Sequence, residues 1–148
     1  MEETISLEYN VEGGNFSRAG YVSSEIKKLL KRLNVDAGVI KRTVVASYEA
    51  EVNVVAHAYS GKVDVRVDGT TLAIVYDDRG PGILDIDKAM QEGFSTASSK
   101  VREMGFGAGM GLPNMKKNAD KLEITSNVGR GTKVTITMQL NHKQLKQI

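Results

Sequence analysis

Val44–Ala58 reads VVASYEAEVNVVAHA. Val45, Tyr48, Val52 and Val55 recur at spacings of three and four, the period of a helix that buries one stripe. Glu49 and Asn53 are four apart, so they stand one above the other on the neighbouring stripe, and His57 continues their row. A carboxylate and a carboxamide one turn apart beside a core face can act on one ligand. Taken alone, the pair suits a solvated polar face better, so the flanking chain has to decide.

Upstream, Ile5, Leu7, Tyr9 and Val11 alternate with polar residues as a half-buried strand does. Gly13-Gly14 break it, and Asn15 or Ser17 is expected to cap a helix carrying Tyr21, Ile26, Leu29, Leu30 and Leu33. Asn34 ends that helix, and Asp36 caps the next, which runs to about Ala58. Downstream, Val63, Val65 and Val67 form a strand, Asp68-Gly69 turn the chain, and Thr71 to Tyr76 return. Asp77-Asp78-Arg79-Gly80-Pro81-Gly82-Ile83 closes that strand. A short helix follows over Asp85 to Met90, then a small, polar lid loop over about 92–104. Gly105-Phe106-Gly107-Ala108-Gly109-Met110-Gly111 runs into a helix from Leu112 to about Ala119. Leu122, Ile124 and Ser126 mark a strand, Val128-Gly129-Arg130-Gly131 turn it, and Thr132 to Leu140 return. Helices grouped apart from hairpins predict an α/β (α+β) two-layer sandwich, with a mixed or antiparallel sheet covered on one face by helices. The expected organisation is a single domain over 1–148, with frayed tails at 1–4 and 141–148.

Composition narrows the function classes. The chain has 148 residues, 41% hydrophobic and 26% charged, as soluble globular proteins do. Twenty basic against eighteen acidic residues leave a net charge of +2, which gives no footprint for nucleic acid. The absence of Cys removes disulfides and thiolate metal sites and suits a cytoplasmic protein. No apolar run reaches membrane-spanning length, and MEETISLEYN has no signal core.

Two glycine-bearing segments carry the chemistry. Asp78 follows a strand end, where a carboxylate can accept from an exocyclic amine and Gly80 and Gly82 permit close backbone approach; the same residues also make an ordinary tight turn. Gly105, Gly107, Gly109 and Gly111, alternating ahead of a helix, make a pliant backbone whose N–H groups can wrap phosphate oxygens, or a plain hinge. The P-loop GxxxxGK[ST] is absent, and Met110 stands where the dinucleotide fingerprint needs its third Gly. His57 fits a helix-end His meeting the negative pole of the dipole. Lys27-Lys28, Lys31-Arg32 and Lys116-Lys117 fit solvated helix faces.

Glu49xxxAsn53, Asp78xGly80xGly82, the Gly105–Gly111 run and Gly131-Thr132, in this order, resemble the GHKL (Bergerat-fold) ATPase/kinase superfamily. DRGPGILDIDKAMQEGFST with GFGAGMGLPNMKKNAD is most similar to the stressosome type among bacterial switch serine/threonine kinases and anti-sigma regulatory factors. The resemblance implies a nucleotide held between the helical layer and a glycine-rich lid, with ATP and Mg²⁺ as cofactors. It implies Glu49 as catalytic base and Asn53 as a metal ligand through its amide oxygen. Asp78 would recognise the adenine amino group, Gly80 and Gly82 would line the adenine, and Thr132 would sit near Asp78. Gly105, Gly107, Gly109 and Gly111 would cradle phosphates. Ala97 to Met104 is longer than in short relatives, so Lys100 and Arg102 face either phosphate or solvent.

The implied activity is a Mg-ATP-dependent protein serine/threonine kinase of a partner-switching system, acting on a STAS-domain antagonist. The alternative is a stoichiometric ATP-bound interaction protein, an anti-sigma factor or phosphatase activator. A plain ATPase is the third reading. A sigma factor or phosphatase and a homodimer are the further partners the resemblance allows, without nucleic acid or membrane.

Overall fold

A computed structural model describes residues 4–91 and 111–140. The elements are β1 (Thr4–Glu12), a 3-10 turn (Phe16–Arg18), α1 (Tyr21–Arg32), α2 (Ala37–His57), β2 (Ser60–Asp68), β3 (Thr71–Arg79), α3 (Ile86–Ala89), α4 (Gly111–Asn118), β4 (Lys121–Asn127) and β5 (Gly131–Gln139). The five strands lie in the order β1-β2-β3-β5-β4. All four pairings are antiparallel, so the antiparallel alternative is realised and the mixed sheet is not.

Alternation along the strands sets the two faces. In β2, Val63, Val65 and Val67 are buried while Lys62, Asp64, Arg66 and Asp68 face solvent. A shift of one residue would send those valines into water, which pins the register. Gly69, at φ 63, makes the tight turn to β3, where Asp68 pairs with Thr71. The helical layer covers the valine face, and Ile26, Leu30, Val54, Ile74, Met115 and Ile136 fill the space between the layers. α1 and α4 both pack on α2, the central helix.

α2 starts where Asp36 predicts, with its carboxylate accepting from the Gly38 N–H at 3.1 Å; such a cap contributes about 1 kcal/mol. Its buried face matches the predicted stripe only in part: Val52 and Val55 are buried, Val45 is half-buried and Tyr48 is exposed. Thr43, Ala46, Ser47, Ala50, Glu51, Val54 and Val55 point into the core, whereas Tyr48 is 38% exposed. Valines surround this helix, so apolar spacing alone cannot phase it. Ala and Ser let α2 approach the sheet closely, and the Tyr48 ring rests against Gly20.

The cap expected for α1 is also replaced. Asn15 accepts from the Ser17 hydroxyl instead, and α1 begins at Tyr21 after Gly20 at φ 96. Its first N–H groups are satisfied from a distance, by Glu51 of α2. β3 runs on through Arg79 rather than ending at Tyr76, and Thr4, expected in a frayed tail, opens β1 opposite Asp68. The expected lid over 92–104 and the tail from 141 lie outside the described residues.

Candidate functional site

Glu49 and Asn53 lie on the side of α2 that meets the start of α4. A Cβ built on Gly111 would stand 3.3 Å from Glu49 Oε2 and 3.4 Å from Asn53 Oδ1. Both oxygens therefore converge on one point at the first residue of α4. Only a residue without a side chain leaves that point open.

Burial raises the Glu49 carboxyl above its ordinary value, and a hydrogen bond from the Asn114 side chain offsets part of that rise. Asn114 stands one turn along α4 from Gly111, so one helix supplies both neighbours.

Asp78 sits at the other end of the site, facing inward two residues beyond Tyr76. The Thr132 N–H donates to its Oδ1 at 2.9 Å, which orients Oδ2 for a further donor. Burial raises the Asp78 carboxyl, the Thr132 bond lowers it, and the neighbouring Asp77 charge raises it.

Behind this pair, Ser126 Oγ lies 2.9 Å from Thr132 Oγ1, donates to Gly131 O and accepts from the Ile83 N–H at 2.7 Å. Gly131 is needed here, since a Cβ would stand 2.0 Å from Asp78 O. Gly82, at φ 79, would drive a Cβ to 2.6 Å from Asn127 O, and Gly80 packs on Ala58 at the end of α2.

The two clusters are joined through Gly61. A Cβ there would meet Val54 Cγ1 at 2.9 Å and Asp78 Cβ at 3.6 Å. The Asn53–Val54 turn of α2 thus lies over the strand end that carries Asp78.

Gly105, Gly107 and Gly109, together with Lys100 and Arg102, lie outside the described residues; Gly111 alone of the alternating glycines is placed. His57 stands in the last turn of α2, as expected. Burial pushes its imidazole below the ordinary value. Ser126, Asn114 and Glu51 were missed as partners. The signal for Ser126 was a hydroxyl in the inward series Leu122, Ile124, Ser126, and for Glu51 a carboxylate on a helix otherwise rich in valine.

Among the described residues, no three His, Cys, Asp or Glu side chains gather to hold a metal. Asn53 Oδ1 is a hard oxygen of the kind that suits Mg²⁺, which keeps waters and takes its remaining ligands from phosphate, and Glu49 Oε2 lies beside it as a separate acceptor. The donor set thus fits a magnesium nucleotide, with α4 adding the positive end of its dipole. A separate cleft of ≈ 790 Å³ opens beside the start of α1, lined by Glu12, Arg18, Tyr21, Lys62, Asp77 and Arg79 among others, and contains no expected site residue. No described helix is long and apolar enough to cross a membrane.

The model of the histidine kinase-like ATPase domain matches residues 17–138. An anti-sigma F factor of Thermoanaerobacter sp. (strain X514) is 37% identical over 94 residues, covering 60% of this chain and 62% of its own length. Serine/threonine-protein kinase RsbT of Bacillus subtilis (strain 168) is 34% identical over 84 residues, covering 53% of this chain and 57% of its own. The match therefore spans about six-tenths of these two relatives' lengths. The crystal structure of the RsbU and RsbW domains of Rv1364c from Mycobacterium tuberculosis aligns with a TM-score of 0.63 at 19% identity. It covers 92% of this chain and 32% of that one, and the shared property is the fold.

Proposed function

Because this chain belongs to the histidine kinase-like ATPase domain family, we propose that it is a Mg-ATP-dependent protein serine/threonine kinase acting on a STAS-domain antagonist in a bacterial partner-switching system. The observation that carries the proposal is the convergence of Glu49 Oε2 and Asn53 Oδ1 beneath Gly111. A nucleotide-binding module has no need of a half-buried carboxylate there, whereas transfer to a hydroxyl does.

In this proposal, bound Mg²⁺ neutralises charge on the phosphates. Asn53 and the start of α4 hold the phosphate end, and Asp78 Oδ2 accepts from the adenine amino group. Glu49 Oε2 takes the proton of the attacking hydroxyl as its oxygen bonds to the γ-phosphorus. The bond to the bridging oxygen breaks and ADP leaves. Phosphoryl transfer depends chiefly on positioning and charge, which these residues supply. The raised Glu49 pKa brings the base nearer neutrality, where proton transfer is most effective.

Glu49→Ala is expected to keep ATP binding and to lower transfer by roughly 10²–10⁴-fold. Label from [γ-³²P]ATP on a STAS protein measures this, and unchanged transfer would refute the role.

The second reading is a stoichiometric ATP-bound protein that holds a sigma factor or a phosphatase. The names of relatives favour it, since anti-sigma F factors recur among them. A stable complex with a partner, with ATP bound and no label transferred, would select it. As a cytoplasmic homodimer, the chain would present two such sites.

A further inference from the structure

Four of the most deeply buried polar side chains among the described residues lie outside the site. Glu51 is 1% exposed, Tyr76 1%, Ser23 2% and Ser47 0%. They form one connected chain. Glu51 Oε2 accepts from the N–H groups of Gly20 at 2.8 Å and Val22 at 3.2 Å; Oε1 accepts from the Ser23 N–H at 2.9 Å and its hydroxyl at 2.7 Å. Ser23 Oγ lies 3.0 Å from Ser47 Oγ, which lies 2.8 Å from the Tyr76 hydroxyl.

Such a chain is a poor way to gain stability alone. Well-packed apolar side chains of similar volume often serve as well as buried charged or polar groups, or better. What hydrogen bonds add is direction and distance. A stripe of Ala and Val can slide or roll on a sheet of valines, whereas a buried bond of 2.8 Å holds one placement.

The elements tied together are those that carry the site. Ser47 lies on α2 two residues before Glu49, on the face opposite it. Tyr76 is the inward-facing residue immediately before Asp78 on β3. Two residues of strand separate their Cα atoms by about 7 Å. The bond therefore joins the helix of Glu49 and Asn53 to the strand of Asp78 close to both. Glu51 fixes the far end of the chain by capping α1, where the positive end of that helix suits a carboxylate.

We propose that the Ser47–Tyr76 hydrogen bond, anchored through Ser23 by Glu51, is a positioning element that sets the spacing between Glu49 with Asn53 and the adenine-side Asp78. The inference rests on the proposed nucleotide site. A ligand that must reach both ends at once is sensitive to that spacing, and a misplacement of about 1 Å can cost about 10²-fold in the rate of the reaction it undergoes.

The test uses Ser47→Ala and Tyr76→Phe, singly and together, in the full chain. Ser47→Ala strands the buried Tyr76 hydroxyl and lowers stability, whereas Tyr76→Phe leaves the Ser47 hydroxyl its Ser23 partner. The double change removes both partners and relieves that penalty, so stability recovers toward the parent. Urea unfolding measures the recovery, and calorimetry with Mg-ATP measures affinity. A positioning role leaves the double variant binding at least tenfold more weakly than the parent despite restored stability. A purely structural role returns affinity together with stability, and that result overturns the inference. Should a single variant fail to fold, the double variant carries the test. A parent that does not bind Mg-ATP refutes the nucleotide site itself. A parent that binds, with a double variant that binds equally well, refutes only the positioning role.

Discussion

Gly111→Ala separates stability from binding. The added methyl carbon would stand 3.3 Å from Glu49 Oε2, 3.4 Å from Asn53 Oδ1 and 3.8 Å from Asn53 Nδ2. These neighbours are the ends of flexible side chains, so shifts of a few tenths of an ångström accommodate it and the fold survives. Alanine is favoured over glycine in a helix interior by up to about 1 kcal/mol, and by less in the first turn. Folding stability should therefore stay level or rise slightly. Ligand binding should move the other way. An ion held about 2.1 Å from Asn53 Oδ1 would share its space with the methyl. A loss of tenfold or more in Mg-ATP affinity is expected, about 1.4 kcal/mol or above. Urea unfolding without ligand gives the first quantity and titration calorimetry the second. Parent-like affinity at parent-like stability would show that the point between Glu49 and Asn53 is not where the ligand binds.

Three further outcomes follow from the same geometry. Asp78→Asn keeps an oxygen for the Thr132 N–H but loses the charged acceptor; calorimetry should show ATP affinity falling by roughly tenfold to a hundredfold, the range for a hydrogen bond to a charged group. Burial raises the Glu49 carboxyl, so between the ordinary and the raised value the folded chain holds a proton that the unfolded chain has released. Stability contributed by this group falls as pH rises through that window. Glu49→Gln should therefore be more stable than the parent above the window and lose that advantage below it, as urea unfolding across pH would record. Transfer, by contrast, should decline as pH falls through the raised Glu49 value, because the base becomes protonated.

Much of the fold was legible because local signals and burial agree. Asp36 caps α2 as a helix start should, and Val63, Val65 and Val67 alternate in a way only one register satisfies. The phase of α2 was legible only in part, through Val52 and Val55. Its valines lie on several faces, and the deciding residues, Ala46, Ser47 and Ala50, have little hydropathy of their own. Glu51 was hidden for a related reason. Its partners Gly20, Val22 and Ser23 are roughly thirty residues away along the chain, beyond the reach of any periodicity. Among the candidate site residues, Glu49, Asn53 and Asp78 were singled out through their spacing and their motif order. Asn114 and Ser126 needed the packing of α4 and the closing of β4 on β5 before they met Glu49 and Thr132.

The most direct measurement is label transfer from [γ-³²P]ATP to a serine or threonine of a STAS-domain protein, with the parent and Glu49→Gln run side by side and ATP binding measured for both. The expected result is label on the STAS protein with the parent, and transfer lowered by roughly 10²-fold or more with Glu49→Gln at unchanged ATP affinity. Equal label from both proteins would contradict Glu49 as the base. ATP bound by the parent with no label on any STAS partner would contradict the kinase itself.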